Sequence, residues 1–415
     1  MRGSRTSGGS LGNGFGRLLG ANLTSSLADG IARTAAPLLA LSLTQDPLLI
    51  AGVAAAIQIP WLVFALPSGV LIDRLDRRHM LAVASGTRSV LALGLFLLTA
   101  TDTLTIWWLY GILLAYGAGE TLADGAIRAM VPSTVDSSDL PRANSRIEAG
   151  EQVLQGFAAA PLASALFAVS ALIPLGIDIA AFAIAAALAL SLPLQASGPI
   201  EGESHEPMPA QLRAGLTFLL GSPMLAMLWF FSTFFAFCLT MASSLVPLYA
   251  VEELGLPEGL FGTLLLIEAL GAVVATTLIE RLRRKLGTGW AMAIANVVAS
   301  SSLLLAWAIP QLWALAVTLF IYAGALSIWN VLIISLRQAA VPRHLLGRVH
   351  GTWRTLHWGI APLGALLGGV IGRVEVALPF LVGGGASALV GLALARRMSR
   401  LPEPDDLGIG GGTAG

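Results

Sequence analysis

The chain has 415 residues, of which 56% are apolar and only 12% charged; soluble domains carry about 25% charged residues, so water is not its main solvent. Its 24 basic and 24 acidic residues cancel, which removes the bulk basicity that nucleic-acid binding draws on. The single cysteine, Cys238, excludes an intrachain disulfide and any metal or iron–sulfur centre built on cysteines.

In chain order, apolar runs bounded by charged or turn residues fall at 18–43, 48–70, 79–100, 105–127, 145–168 and 172–193, then at 223–250, 259–281, 288–309, 312–335, 348–371 and 376–396. A helix needs about 20 apolar residues to cross the hydrocarbon core, and only helices or closed barrels satisfy their backbone there. The pattern predicts an all-α integral membrane protein with twelve transmembrane helices. Residues 1–17 read as a cytoplasmic tail, 18–193 as one six-helix bundle, 194–222 as a cytoplasmic linker, 223–397 as a second six-helix bundle and 398–415 as a disordered tail. The linker holds an amphipathic segment near Gln211–Leu220. The first run carries Asp29 and Arg33 and lacks a small-residue cleavage pattern, so it reads as a retained span. No stretch is left for a soluble catalytic domain, and the chain is not expected to be an enzyme.

Arginine positions set the orientation. One set of alternate connections holds Arg2, Arg5 and Arg17; Arg74, Arg77 and Arg78; Arg128, Arg142 and Arg146; Arg213; Arg281, Arg283, Arg284 and Lys285; Arg337, Arg343 and Arg348; and Arg396, Arg397 and Arg400. The other set holds Arg373 alone. Both termini are therefore expected in the cytoplasm. Lys285 is the one lysine among the 24 basic residues, a bias typical of GC-rich bacterial genomes, which points to a bacterial inner membrane.

The halves repeat one another. Ala160-Pro161-Leu162 with Leu166 and Val169 recurs as Ala361-Pro362-Leu363 with Leu367 and Val370, and Val131-Pro132 recurs as Val341-Pro342. Two pseudo-symmetric bundles of this kind place a substrate path between them.

Between the second and third runs stands GVLIDRLDRRHML, Gly69 to Leu81. This string resembles the loop motif G-x-L-x-D-R-x-x-R-R of the major facilitator superfamily. With LGANLTSSLADGIARTAAPLLALSLTQDP, VPSTVDSSDLPRANS and VPRHLLGRVHGTWRTLHWGIAPLGALLGG, the chain resembles the macrolide-efflux and enterobactin-exporter-like branch. The resemblance implies a cytoplasmic gate in which Gly69, Asp73, Arg74, Arg77 and Arg78 act with Arg128, Asp73 meeting the start of the eleventh span near Leu346–Arg348. Glu148 and Glu151, at i, i+3 where the fifth span opens, read as further gate residues, as partners of nearby arginines such as Arg146, or as a proton site. It also implies export of drugs, siderophores or other hydrophobic metabolites, driven by protons. The exporter motif of the fifth span is reduced to Gly156 and Pro161, with Ala160, Ser164 and Ala165 at its glycine positions.

Ionisable groups inside spans cost about 3 kcal/mol or more, so they are paired or functional. Asp29 and Arg33, four residues apart on one helix face, read either as a structural pair or as a protonatable carboxylate with a removable arginine neighbour. Arg88, Glu120 and Asp124 form a second group, with Arg128 continuing the face. Glu268, isolated in the eighth span, reads as a proton site, a cation-substrate site or a neutral bystander. Proton-coupling candidates are thus Asp29, Arg33, Glu120 and Glu268. Candidates for lining a substrate cavity are Phe230, Phe234, Trp329, Asn330, Arg354 and His357, since aromatic and methionine-rich surfaces adapt to varied ligands.

No P-loop, HExxH site or Gly-x-Ser-x-Gly elbow occurs. The expectation is a monomeric, proton-antiporting multidrug-type exporter of hydrophobic or amphipathic small molecules, working by alternating access in the lipid bilayer without cofactor or metal. Uptake or facilitated transport of a nutrient or lysolipid, and a membrane-embedded sensor or enzyme, are the alternatives.

Overall fold

The computed structural model describes residues 11–193, 208–342 and 345–408, and among them no strand occurs. The chain opens with α1 (Asn13–Leu43), α2 (Pro47–Arg74), α3 (Arg77–Ala100) and α4 (Ile106–Thr134). Side chains just before three of these helices take up backbone donors that the first turn leaves orphaned. Asp46 accepts from Leu48 N–H, Asp76 from Arg78 and His79 N–H, and Thr105 from Trp108 N–H. The fifth passage comprises α5 (Leu140–Glu151), a π-helical stretch (Gln152–Ala159) and α6 (Ala160–Val169), and α7 (Leu172–Leu190) completes the half.

The second half comprises α8 (Met208–Gly221), α9 (Pro223–Ser243), the single turn α10 (Val246–Leu248), α11 (Phe261–Ala308), α12 (Leu312–Ala340), α13 (Leu346–Gly359), α14 (Ala361–Gly372), α15 (Leu378–Met398) and α16 (Pro404–Gly408). Regular helix is interrupted just before Ala160-Pro161 and again before Ala361-Pro362. Proline lacks the N–H that an ongoing helix requires and crowds the preceding turn, so the repeat visible in the sequence recurs in the backbone.

Among the described residues, eight stretches are long and apolar enough to cross a membrane by length and composition. Of the remaining apolar runs, those on α1 and α4 are diluted by Asp29, Arg33, Glu120, Asp124 and Arg128, and the eleventh is divided between α13 and α14. The stretch Glu258–Ala308 holds two runs, because α11 turns at Gly287, where φ is 76° and ψ is 159°. Next to this turn Glu403 accepts from the Thr288 N–H at 2.7 Å and from its hydroxyl at 2.6 Å. Residues 401–408, within the tail read from the sequence as disordered, therefore carry this contact and α16.

In the first half α3 packs on α4 and α7, α2 on α4, and α1 on α7; in the second, α11 packs on α12 and α15, and α9 on α14 and α15. Across the halves, α14 lies along α2 and α6 along the start of α11. Lipid supplies no hydrophobic drive between helices, so close backbone approach at small residues holds them. A Cβ added to Gly369 would sit 2.6 Å from Leu48 Cα.

The Gly287 conformation is one that a side chain adopts only with strain of about 1–3 kcal/mol. Gly287→Val is therefore expected to lower the melting temperature of the purified protein in detergent, and an unchanged melting temperature would count against a turn set by this residue.

Candidate functional site

The charges inside α1, α3 and α4 are paired, but not as their spacing along α1 implies. Arg88 on α3, fully buried, forms an ion pair with Asp29. The Tyr116 hydroxyl donates to the same carboxylate at 3.2 Å, and Arg88 donates to Ser25 Oγ at 3.1 Å. The Arg88 guanidinium lies over the rings of Tyr116 and Phe182, 4.5 and 4.1 Å from their centroids. Arg33 instead meets Glu120 on α4 at 2.5 Å, its side chain 47% exposed against 10% for the glutamate. The expected Asp29–Arg33 pair is replaced by two interhelical pairs, because helices α3 and α4 bring counter-charges that α1 alone cannot reveal.

Below them the Asp124–Arg128 pair (3.0 Å) continues to Glu151 (3.5 Å), which also accepts from Asn22 at 3.1 Å. Asp29, Arg33, Glu120, Asp124, Arg128 and Glu151 border a chamber of about 170 Å³ within the first half. Asp178 on α7 is buried with Oδ1 unbonded among the described residues.

A larger cavity of about 690 Å³ lies between the halves. The first half contributes Gly30, Arg33 and Thr34 from α1, with Glu151, Gln152, Gln155, Gly156 and Ala160 from the fifth passage. From the second half, Leu265, Glu268, Ala269 and Ala272 present one face of α11, and Ser327 and Asn330 join from α12. Arg33 and Glu151 border both spaces. The π-helical stretch supplies Gln152, Gln155 and Gly156; π-bulges recur at functional sites.

The halves are bonded to each other at the arginine-poor end. Arg373, before α15, donates to both carboxylate oxygens of Asp46, at 2.8 and 2.5 Å. Gln45 donates to Glu252 at 3.0 Å, and the Ser164 hydroxyl donates to the Gly259 carbonyl (3.1 Å) while accepting the Gly262 N–H (3.0 Å). The Arg373 hydrogen bonds hold the Asp46 carboxyl below the usual carboxylate range, with a smaller contribution from the Leu48 N–H.

Of the expected gate residues at the opposite end, the side chains of Asp73 and Arg74, and the surroundings of Gly69, lie outside the described residues. Arg77 is buried and donates to the Ile72 and Ala129 carbonyls, and Arg78 to the Leu192 carbonyl. These two arginines therefore tie helix ends together within the first half. Glu148 is exposed.

Among the expected cavity residues whose side chains are described, only Asn330 lines the space. Trp329 is buried within the second half, its ring 5.3 and 5.5 Å from those of Phe231 and Phe235. Phe230 and Phe234 face outward, and His357 lies away from the cavity wall. The side chain of Arg354 lies outside the described residues. An aromatic count does not reveal which helix face turns inward, so this expectation exchanged the core face of α12 and the outer face of α9 for the cavity face. The polar residues Gln152, Gln155, Ser327 and Thr34 were passed over; each is a neutral hydrogen-bonding group inside an apolar run, which is the signal that marks them.

Two outcomes follow from this geometry. Arg88→Met leaves Asp29 buried without its partner, a change that costs about 3–5 kcal/mol; adding Asp29→Asn is expected to restore part of the lost thermal stability, whereas additive losses would contradict a direct pair. At the arginine-poor end, Asp46→Asn is expected to speed labelling of a cavity cysteine from that side severalfold. Because the folded-state pKa of Asp46 is lowered, its contribution is complete above the ordinary carboxylate value of about 3.9 and is lost only as pH falls through the lowered value. Divided by the rate at a fully exposed cysteine, which removes the thiolate's own pH dependence, the labelling rate of the unaltered gate is thus expected to be flat between about pH 5 and 8, and a rise of this ratio at mildly acidic pH would contradict this pairing.

Residues 18–361 and 239–414 match the family model described as Major Facilitator Superfamily. The chain is 26% identical over 348 residues to the enterobactin exporter EntS of Citrobacter koseri, covering 81% of this chain and 82% of that protein. It is 25% identical over 350 residues to EntS of Salmonella choleraesuis, covering 82% and 83%. Its fold is similar to that of a variant of the nucleoside transporter NupG, with a TM-score of 0.76 at 15% identity, covering 93% of this chain and all of that one. It is also similar to a bacterial homologue of the iron transporter ferroportin in an inward-facing state, with a TM-score of 0.74 at 16% identity and coverage of 94% and 100%. The helical fold, its apolar spans and these matches lead to one conclusion: the chain is a multi-pass membrane transporter that belongs to the Major Facilitator Superfamily.

Proposed function

We propose that this transporter exports hydrophobic or amphipathic small molecules by proton antiport, crossing a bacterial inner membrane twelve times as a monomer with both termini in the cytoplasm. The observation that carries the reading is the cavity between the halves, lined by Arg33 on one side and Glu268 on the other, with the interhalf bonds Asp46–Arg373 and Ser164–Gly262 at the arginine-poor end. By the positive-inside rule that end faces outward, so this is a state with the outer side held shut. The relatives matched over most of the chain are named as exporters, which favours export over nutrient uptake.

In this reading Asp29–Arg88 is a sealed structural pair and Arg33–Glu120 is the coupling pair. Arg33 is half exposed at the cavity, where its side chain and a substrate compete for the same space. In the empty carrier facing outward Arg33 turns into the cavity, and Glu120, a carboxylate stripped of its arginine in a poorly hydrated setting, is neutralised by a proton from outside and carries it inward as the halves rock. Substrate entering from the cytoplasm drives Arg33 back onto Glu120, the proton leaves to the cytoplasm, and the deprotonated carrier takes the substrate outward. The bonds at the outer end and the gate residues at the inner end bias a two-state equilibrium, for which a few kcal/mol suffice.

Inverted membrane vesicles with an imposed proton gradient test the reading with a panel of hydrophobic compounds. Accumulation that collapses with the gradient is expected, with Glu120→Gln losing gradient-driven accumulation by 10-fold or more while retaining substrate binding. Accumulation in the opposite direction would establish uptake instead, and transport indifferent to the gradient would reject antiport.

A further inference from the structure

The two halves present unlike electrostatics to their shared cavity. On the first-half wall the charges are answered: Arg33 is held by Glu120, and Glu151 by Arg128 and Asn22. On the second-half wall stands Glu268, partly buried, with neither hydrogen bond nor ion pair among the described residues. Its neighbours on the cavity face of α11 are Leu265, Ala269 and Ala272. The two alanines leave the carboxylate unscreened by bulk, and Ser327 and Asn330 on α12 add neutral hydrogen-bonding groups to the same wall. The opposite wall is low where Gly30 and Gly156 line it. An anionic group in a membrane-embedded cavity is costly unless a counter-charge comes to it, and among the described residues no cation is paired with Glu268: Arg33, across the cavity, is held by Glu120.

From this juxtaposition we infer that Glu268 is the recognition site for a positively charged substrate: the cavity takes amphipathic organic cations, their charge against Glu268 and their apolar body along Leu265, Leu326 and Val331. The inference rests on the transport reading and names its substrate class. It separates two tasks between the halves, cation recognition on α11 and proton carriage through Arg33–Glu120. A bulky cation fits better than a compact one, because about 690 Å³ falls within the range of pockets that hold drug-sized molecules.

Three probes of closely related shape and different charge test it on the full-length protein in lipid nanodiscs: tetraphenylphosphonium, tetraphenylborate and uncharged triphenylphosphine oxide. The unaltered protein is expected to bind tetraphenylphosphonium at least about 10-fold more tightly than either other probe. Glu268→Gln is expected to weaken tetraphenylphosphonium about 10-fold while leaving triphenylphosphine oxide unchanged, which shows at once that the variant is folded. Glu268→Asp is expected to retain most of the cation preference. No preference among the probes, no binding of any probe, or an equal loss for all of them in a folded Glu268→Gln protein would overturn the inference. The gradient-driven vesicle assay is indifferent to these outcomes, so cation recognition and export fail separately.

Discussion

A charge buried among membrane helices needs a counter-charge, and in this protein that requirement decides which helices must stay together. Asp29 and Arg88 bind α1 to α3, and Arg33 and Glu120 bind α1 to α4. Removing either member of the sealed pair leaves a desolvated charge, so α1 and α3 are held to each other. The Arg128–Glu151 contact extends the network to the fifth passage. By contrast, the halves meet through small residues and a handful of polar bonds near Asp46, Gln45 and Ser164. The strong interactions lie within a half and the weaker ones between halves, which is the distribution a rocking transporter requires.

Much of the fold was legible in the sequence. Hydrocarbon-length apolar runs are read from composition, and the Ala-Pro-Leu repeat announces the duplicated break that Ala160 and Ala361 mark in the backbone. The bend of α11 was legible as two runs separated by a basic connection, although regular helix extends close to Gly287 on both sides. The ends were read short: α4 and α12 continue past their apolar runs to Thr134 and Ala340, because a helix leaving the bilayer can carry polar residues for another turn or two.

The buried charges were legible one by one but not in their pairings. Asp29, Arg33, Arg88 and Glu120 stand out as ionisable residues inside apolar runs, yet the spacing of Asp29 and Arg33 on one helix suggested a partnership that α3 and α4 dissolve. Partner choice depends on how α1 rotates against its neighbours, and a single helix pattern holds no such information. The same loss explains Trp329, whose place between Phe231 and Phe235 depends on how α12 faces α9, and the polar cavity lining of Gln152 and Gln155, which follows from a local π-helical winding.

The central claim is that residues 18–193 and 223–397 rock as two bodies about the shared cavity. Spin labels on a Cys238→Ala background, one pair at Thr101 and Gln311 on the arginine-poor end and one at Asn144 and Lys285 on the arginine-rich end, measure it by pulsed electron spin resonance. With a proton gradient and a transported compound present, the account predicts that the first distance lengthens as the second shortens. Distances that stay fixed, or that lengthen together, would contradict it.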